Sequence, residues 1–118
     1  MKPPKNCISI DEARALQTRW VNTRAQAIKN AMGAEDAREV LFSIEELQKY
    51  IDYVKAESAA QGITDPGVRV YFGAYTAEKG NRATVFLAPT EGTQSTSKNN
   101  YKIKAYNQIF GGWPPFGY

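Results

Sequence analysis

Three polar or aromatic side chains on one predicted helix have the chemistry to hold an anion. Arg24 falls within the apolar face of this helix, one turn after Trp20, and Gln17 lies on the same side. An arginine guanidinium presents a planar fork of donors that suits a carboxylate or a phosphate. Two interpretations of Arg24 stay open: it binds a ligand anion, or it pairs with a carboxylate of the chain itself, for which Glu39 and Glu57 are the candidates.

A second candidate group lies on a predicted strand, Val68–Tyr75. Because side chains alternate along a strand, Arg69, Tyr71 and Tyr75 share one face, and Gly73 leaves room between them. Groupings of aromatic residues with arginine favour binding, so this face is a candidate recognition surface. The alternative is a partly covered sheet face with tyrosine hydroxyl groups at its rim.

The C-terminal segment is rich in aromatic residues. Its glycines and prolines exclude a helix or a central strand. Because disordered tails are poor in aromatic residues, we expect residues 108–118 to form an ordered, extended segment. Trp113 should lie in a groove of its own chain or of a neighbouring subunit. The candidate interaction residues are all aromatic or proline: Phe110, Trp113, Pro114, Pro115, Phe116 and Tyr118.

Several common catalytic designs are missing from the sequence. There is no histidine and a single cysteine, Cys7, which excludes histidine general bases, histidine-containing zinc sites and paired Ser-His or Cys-His nucleophiles. Phosphate-binding loops, dinucleotide-binding fingerprints and metal-spaced clusters are also absent. We therefore predict no cofactor and no metal. An enzyme built on Asp, Glu, Lys, Arg or Tyr stays open but is not favoured.

The charge of the chain suggests nucleic acid as a partner, but its distribution does not. The net charge is +3, and the isoelectric point is near 9.0. On the first predicted helix, however, Arg14, Arg19, Arg24 and Lys29 are spaced by five residues. They therefore wind around the helix instead of forming a stripe along a phosphate backbone. Nucleic acid is an unlikely partner.

Size and composition predict a single globular domain over residues 1–118, with one hydrophobic core. No apolar run approaches the roughly 20 residues that a membrane helix needs, and Met1–Cys7 is not followed by the apolar segment of a signal peptide. We therefore expect a cytoplasmic location and no membrane contact. Residues 1–8 should be a loose arm, and residues 90–100 a mobile polar loop.

Two capping boxes predict two helices. The first, Ser9–Glu12, should begin a helix that runs to about Ala31 and ends at Gly33. The second, Ser43–Glu46, should begin a helix that ends at Gly62. The apolar residues of the second helix are predicted to form one stripe, with Tyr50 on its flank: Ile44, Leu47, Ile51 and Val54.

The strands are predicted from short apolar runs. Val68–Tyr75 and Ala83–Ala88, joined by a polar turn, should form an antiparallel hairpin. The apolar burst Glu39–Phe42 is predicted to be a strand that leads into the second helix, with a helical turn as the alternative. Tyr101–Tyr106 alternates apolar and polar residues, which suggests a further edge strand.

Together these elements predict an α+β fold, with a small α/β fold as the alternative. The expected order is α-β-α-β-β, and two helices should cover a small, mainly antiparallel sheet. The favoured function is a non-catalytic protein-interaction or self-associating module that uses the aromatic tail. The alternative is a domain that binds a small molecule or an anion through Arg24, Arg69 and the strand tyrosines.

Overall fold

An antiparallel hairpin lies at the centre of the computed structural model, which describes residues 1–107 and 113–118. Strand β1, Gly67–Ala74, pairs along its length with strand β2, Ala83–Thr90. The connection ends in Gly80 and Asn81, whose φ angles of 99° and 58° lie in the left-handed region that glycine and asparagine tolerate. The predicted hairpin is confirmed.

The N-terminal half of the chain is helical. Helix α1 spans Ile10–Asn22, α2 spans Arg24–Met32, and α3 spans Ile44–Ala60. The prediction of one continuous helix to Ala31 is wrong, because the helix breaks at Thr23. The hydroxyl of Thr23 donates to the carbonyl of Arg19 at 2.5 Å, a back-bond that bends helices. If α1 and α2 are counted as one broken helix, the order is α-α-β-β, and the class is α+β.

The predicted strand at Glu39–Phe42 does not form, so the order α-β-α-β-β is wrong. Both edges of β2 are occupied, one by β1 and the other by the segment around Tyr106, so this segment cannot pair with β2, and the two-stranded sheet does not include it beside β1 either. The irregular segment before α3 is instead tied to the hairpin by Asp36. Its Oδ1 accepts hydrogen bonds from the backbone N–H groups of Ala37 at 2.8 Å and Ala83 at 2.7 Å.

Tyr101–Tyr106 is not a regular edge strand either. Only two isolated bridges join this region to β2, Thr90 with Asn99 and Leu87 with Tyr106. Two residues of β2 separate these bridges, whereas six residues separate them on the other segment, so the chain loops out. Ile103, on the loop, is buried with 4% of its surface exposed. This segment is therefore held against β2 by the buried side chain of Ile103 and by the two bridges, not by a continuous ladder of backbone hydrogen bonds.

The core lies between α3, β2 and the looped segment. Its buried members are Tyr50, Val54, Leu87 and Ile103, and the ring of Tyr50 stacks on that of Tyr106 with centroids 5.0 Å apart. Tyr50 is therefore at the centre of the inward face of α3, not on its flank. On the predicted stripe, Ile44 is 82% exposed and Ile51 is 37% exposed. The inward face runs through Tyr50, Val54 and Ser58, at the i, i+4, i+8 spacing of a helix.

The helices leave β1 uncovered. Val70 lies directly opposite Leu87 in the hairpin, yet Val70 is 56% exposed and Leu87 only 6%. Phe72, two residues further along the same face, is 85% exposed. The expectation that the helices cover the sheet therefore fails for β1. Within the described ranges, none of the helices is long and apolar enough to span a membrane.

Replacement of Ser43 by alanine is expected to lower the free energy of unfolding by about 1 kcal/mol. The Ser43 hydroxyl accepts a hydrogen bond from the N–H of Glu46 at 2.9 Å, and alanine leaves this helix-terminal donor without its cap. Urea unfolding followed by circular dichroism measures the change. Ser95→Ala is the control, because Ser95 is bonded through its main-chain carbonyl, and its hydroxyl makes no hydrogen bond to the part of the chain that the structure describes. Equal stability of the two variants would contradict the prediction.

Candidate functional site

The hairpin separates the predicted ligand-binding residues into two groups. Trp20 of α1 lines a small cavity of about 100 Å³ together with Phe72. Arg69 and Tyr71 are odd-numbered residues of β1, and their side chains therefore project from the opposite face to that of Phe72. The structure does not bring the helical and the strand candidates together in one site.

Arg24 lies apart from the other helical candidates. It is exposed, and its guanidinium lies 3.5 Å from the hydroxyl of Thr23. Across residues 1–107 and 113–118, the ion pairs do not include Arg24, so the expected pairing with Glu39 or Glu57 is not found there. Arg24 also does not line the cavities beside Trp20 and Gln17. Its role in ligand binding stays a prediction.

Arg69 holds the loop that follows β2. Its Nη1 donates to Oδ1 of Asn99 at 2.6 Å, and its Nη2 donates to the carbonyls of Ser95 at 3.1 Å and Ser97 at 2.8 Å. The polar loop of residues 90–100, predicted to be mobile, is thus tied to the sheet through this guanidinium. Its donors are directed at the chain itself, which favours a structural role.

The two strand tyrosines are also bonded within the chain. The Tyr71 hydroxyl accepts from Nδ2 of Asn99 at 2.8 Å, and its ring stacks on Phe86 with centroids 5.2 Å apart. The Tyr75 hydroxyl donates to Oδ1 of Asn107 at 2.8 Å. These bonds match the interpretation of a partly covered sheet face with hydroxyl groups at its rim.

The described part of the C-terminal tail lies against its own chain. The guanidinium of Arg82 stands 3.7 Å from the ring centroid of Trp113, a cation–π contact. The N–H of Phe116 donates to a carboxylate oxygen of Glu39 at 3.1 Å, and that of Tyr118 donates to Oε1 of Gln17 at 3.2 Å. Pro114 and Pro115 lie between these contacts. Phe110 lies outside the described residues.

Most of the aromatic surface of the tail nevertheless stays in contact with water. Trp113 is 43% exposed, Phe116 80% and Tyr118 64%. The main-chain groups of the tail, more than its side chains, are engaged by the rest of the protein. The role of the tail as an interaction surface therefore stays a prediction.

Arg38 is a charged residue that is not among the candidates predicted from the sequence. It lines both the cavity beside Trp20 and the neighbouring one beside Gln17, and its Nε is buried without a hydrogen-bond partner among the described residues. A buried donor without an acceptor is uncommon in folded proteins. A guanidinium beside Trp20 and Gln17 is thus supplied by Arg38, not by Arg24. No sequence pattern distinguishes it from other arginines.

Tyr50 is the titratable group with the most perturbed environment. Its hydroxyl donates to the carbonyls of Lys104 at 2.9 Å and Leu87 at 3.3 Å. Burial, with a smaller contribution from the neighbouring Tyr53, raises the pKa of Tyr50 to about 12. The neutral phenol is therefore favoured, as its role of hydrogen-bond donor to two carbonyl groups requires.

The raised pKa of Tyr50 predicts alkaline destabilisation. Because the pKa is about 10 in the unfolded chain and about 12 in the folded one, ionisation of this phenol does not change the stability below pH 10. Stability should then fall as the pH rises from 10 to 12, since the unfolded chain releases the phenolic proton first. Urea unfolding across this range, compared with Tyr50→Phe, measures the effect. An equally steep decline in Tyr50→Phe would assign it to other groups.

One face of β1 exposes apolar side chains to water. Val68, Val70 and Phe72 are 41%, 56% and 85% exposed, and we call these three side chains the β1 patch. From the sequence, we expect this apolar run to be covered by the helices, which the structure does not show. The sequence does contain a sign of an unprotected edge, because β1 has neither lysine nor proline, the residues that commonly protect a strand edge.

Neither a metal-binding cluster among the described residues nor a known relative indicates a function for this chain. The described part of the chain contains no group of three or more His, Cys, Asp or Glu side chains that could hold a metal ion. A functional assignment must therefore rest on the geometry of the chain itself. No known protein family, curated protein or solved structure significantly matches this chain.

Proposed function

We propose that the protein is a non-catalytic protein-interaction module that binds an extended polypeptide along strand β1. The observation that carries this proposal is the β1 patch. Val68, Val70 and Phe72 form a continuous row of exposed apolar side chains on a hydrogen-bonding strand. Contiguous exposed apolar surface on a soluble domain commonly marks a site of protein contact.

The backbone of β1 supports the same interpretation. The N–H of Tyr75 donates to the carbonyl of Arg82 at 2.9 Å, which makes these two residues a hydrogen-bonded pair. Hydrogen-bonded and non-hydrogen-bonded pairs alternate along an antiparallel ladder, so the N–H and C=O groups of Val68, Val70 and Phe72 point away from β2. The patch residues thus offer free main-chain groups as well as apolar side chains.

The other side of the hairpin gives an independent check on this alternation. The N–H and C=O groups of Leu87 bond to Tyr106 at 2.8 and 2.9 Å, and they therefore point away from β1. Leu87 lies opposite Val70, so their pair is not hydrogen-bonded. Among the described residues, no hydrogen bond engages the outward main-chain groups of Val68, Val70 or Phe72. Strand addition is the binding mode that uses such an edge.

The overall surface of the chain also favours a module that is completed by a partner. Its accessible surface is 9122 Å², whereas a compact monomer of 13.1 kDa exposes about 6,400 Å². Its radius of gyration is 16.5 Å, compared with about 13 to 14 Å for a compact domain of this length. The excess surface exceeds the roughly 800 Å² that each partner buries in a standard protein–protein interface.

Site-specific photo-crosslinking tests this proposal. Phe72→p-benzoylphenylalanine places the crosslinker on the patch, and Leu16→p-benzoylphenylalanine, at a position that is 66% exposed on α1, is the matched control. After irradiation in the host cell, we expect a covalent adduct of defined mass from position 72 and none from position 16. No adduct from position 72, or the same adducts from both positions, would refute the proposal.

A further inference from the structure

We infer that the occupant of β1 is a second copy of this chain, paired antiparallel to β1 across a two-fold axis at Tyr71. This inference rests on the proposed function and specifies its partner. In an isologous contact the same surface is used by both copies, so β1 must be complementary to itself. The spacing of its outward groups and its charge both satisfy this requirement.

The register follows from the outward main-chain groups. With Tyr71 opposite Tyr71, Val70 of one copy faces Phe72 of the other, and Val68 faces Ala74. All four outward-facing residues of each strand are then paired, which gives about eight backbone hydrogen bonds, two for each hydrogen-bonded pair. A two-fold axis at Val70 would instead place Ala74 opposite Pro66, which has no N–H to donate. The register at Tyr71 is therefore favoured.

The side chains fit this register on both faces of the sheet. On the patch face, Val70 meets Phe72, and pairs of aromatic with β-branched residues stabilise antiparallel sheets. On the other face, Arg69, the one charged residue of β1, lies opposite Gly73 of the second copy, so like charges do not meet. The guanidinium of Arg69 is also drawn away from the edge by its bonds to Asn99, Ser95 and Ser97.

The lack of edge protection is a further reason for a second copy as the partner. Natural proteins that remain monomeric protect exposed strands with lysine, proline, bulges or a covering segment. Strand β1 pairs with β2 over eight consecutive residues without a bulge and carries neither lysine nor proline. Wherever the chain accumulates, another copy of the same edge is present at equal concentration. A second copy is therefore a partner that is always present together with this edge.

The mass of the purified chain of 118 residues is the first test. Sedimentation equilibrium at micromolar concentrations should give twice 13.1 kDa. Val70→Pro should give the monomer mass with an unchanged circular dichroism spectrum, because the lost N–H points outward and proline is tolerated at a free edge. Val70→Thr, which keeps the N–H, should stay dimeric. A monomeric native chain, or a dimeric Val70→Pro variant, overturns the inference.

Disulfide trapping tests the register without relying on a proline variant. In a Cys7→Ser background, chains with Val70→Cys and chains with Phe72→Cys are oxidised separately and as a mixture. The mixture should form at least several-fold more crosslinked dimer than either variant alone, because positions 70 and 72 face each other across the axis. Equal or greater crosslinking of Val70→Cys alone overturns the register at Tyr71.

The two proposals fail in different ways. If the purified chain is monomeric while position 72 crosslinks to a different protein in the cell, the second copy is rejected and the strand-addition module stands. If position 72 yields no adduct and the purified chain is monomeric, both are rejected. An adduct with twice the mass of the chain supports both.

Discussion

Replacement of Tyr50 by alanine is expected to lower the free energy of unfolding by about 3–5 kcal/mol. Tyr50 packs with Val54, Leu87 and Ile103 in the core, and its ring stacks on Tyr106. Its loss also leaves the carbonyls of Leu87 and Lys104 without their hydroxyl donor. Because native domains are stable by only about 5–15 kcal/mol, one such change removes much of the stability.

Two variants make the Tyr50 measurement specific. Ile44→Ala is the control, because it truncates a large aliphatic side chain of the same helix that is 82% exposed. Its effect on the free energy of unfolding should stay within about 0.5 kcal/mol. Tyr50→Phe keeps the ring and removes the hydroxyl, so it separates packing from hydrogen bonding. Urea unfolding at neutral pH gives all three values. A Tyr50→Ala variant as stable as Ile44→Ala would show that the core is not built around Tyr50.

Replacement of Arg69 by alanine should cost about 2 kcal/mol and loosen the loop after β2. The guanidinium donates to Asn99 and to the carbonyls of Ser95 and Ser97, so alanine removes every bond that ties this loop to β1 through Arg69. Thermal unfolding measures the stability. Amide hydrogen exchange over residues 91–99 should become faster while the exchange of α3 changes little.

Matched arginine variants separate the structural role of Arg69 from ligand binding. Arg69→Lys keeps the positive charge but loses the planar fork, and it should resemble Arg69→Ala. Arg24→Ala removes an exposed arginine whose guanidinium, within residues 1–107 and 113–118, is hydrogen-bonded to Thr23 alone, so it should leave stability unchanged. If Arg69→Ala is as stable as Arg24→Ala but no longer binds inorganic phosphate that the native chain binds, Arg69 is a ligand residue instead.

The proposed strand-addition module unites observations from separate parts of the molecule. Helix α3 packs on β2 and leaves the apolar face of β1 in water, while the ladder geometry directs free main-chain groups of β1 outward. Arg69, the one charged residue of this strand, is bound to the loop after β2. The same arrangement that stabilises the loop thus keeps the edge of β1 open to a partner.

The sequence by itself determined those features that depend on neighbouring residues. Ser9 and Ser43 cap helices because a serine hydroxyl reaches the N–H three residues later in the same chain. The hairpin was equally predictable, since β-branched and aromatic runs joined by a glycine-containing turn pair locally. The break at Thr23 was not predicted because a single threonine also occurs within continuous helices, so no residue pattern marks the back-bond to Arg19.

Only the tertiary structure decided which apolar surfaces are covered. The sequence favours a stripe through Ile44 and Ile51, but Tyr50 faces the core because its hydroxyl reaches the carbonyls of Leu87 and Lys104. Ile103 likewise enters the core from a segment that its alternating pattern suggests to be a strand. Helix α3 is a single layer that covers β2 and cannot also cover β1. Periodicity identifies a face as apolar, but the positions of distant elements determine whether that face is buried or remains available for binding.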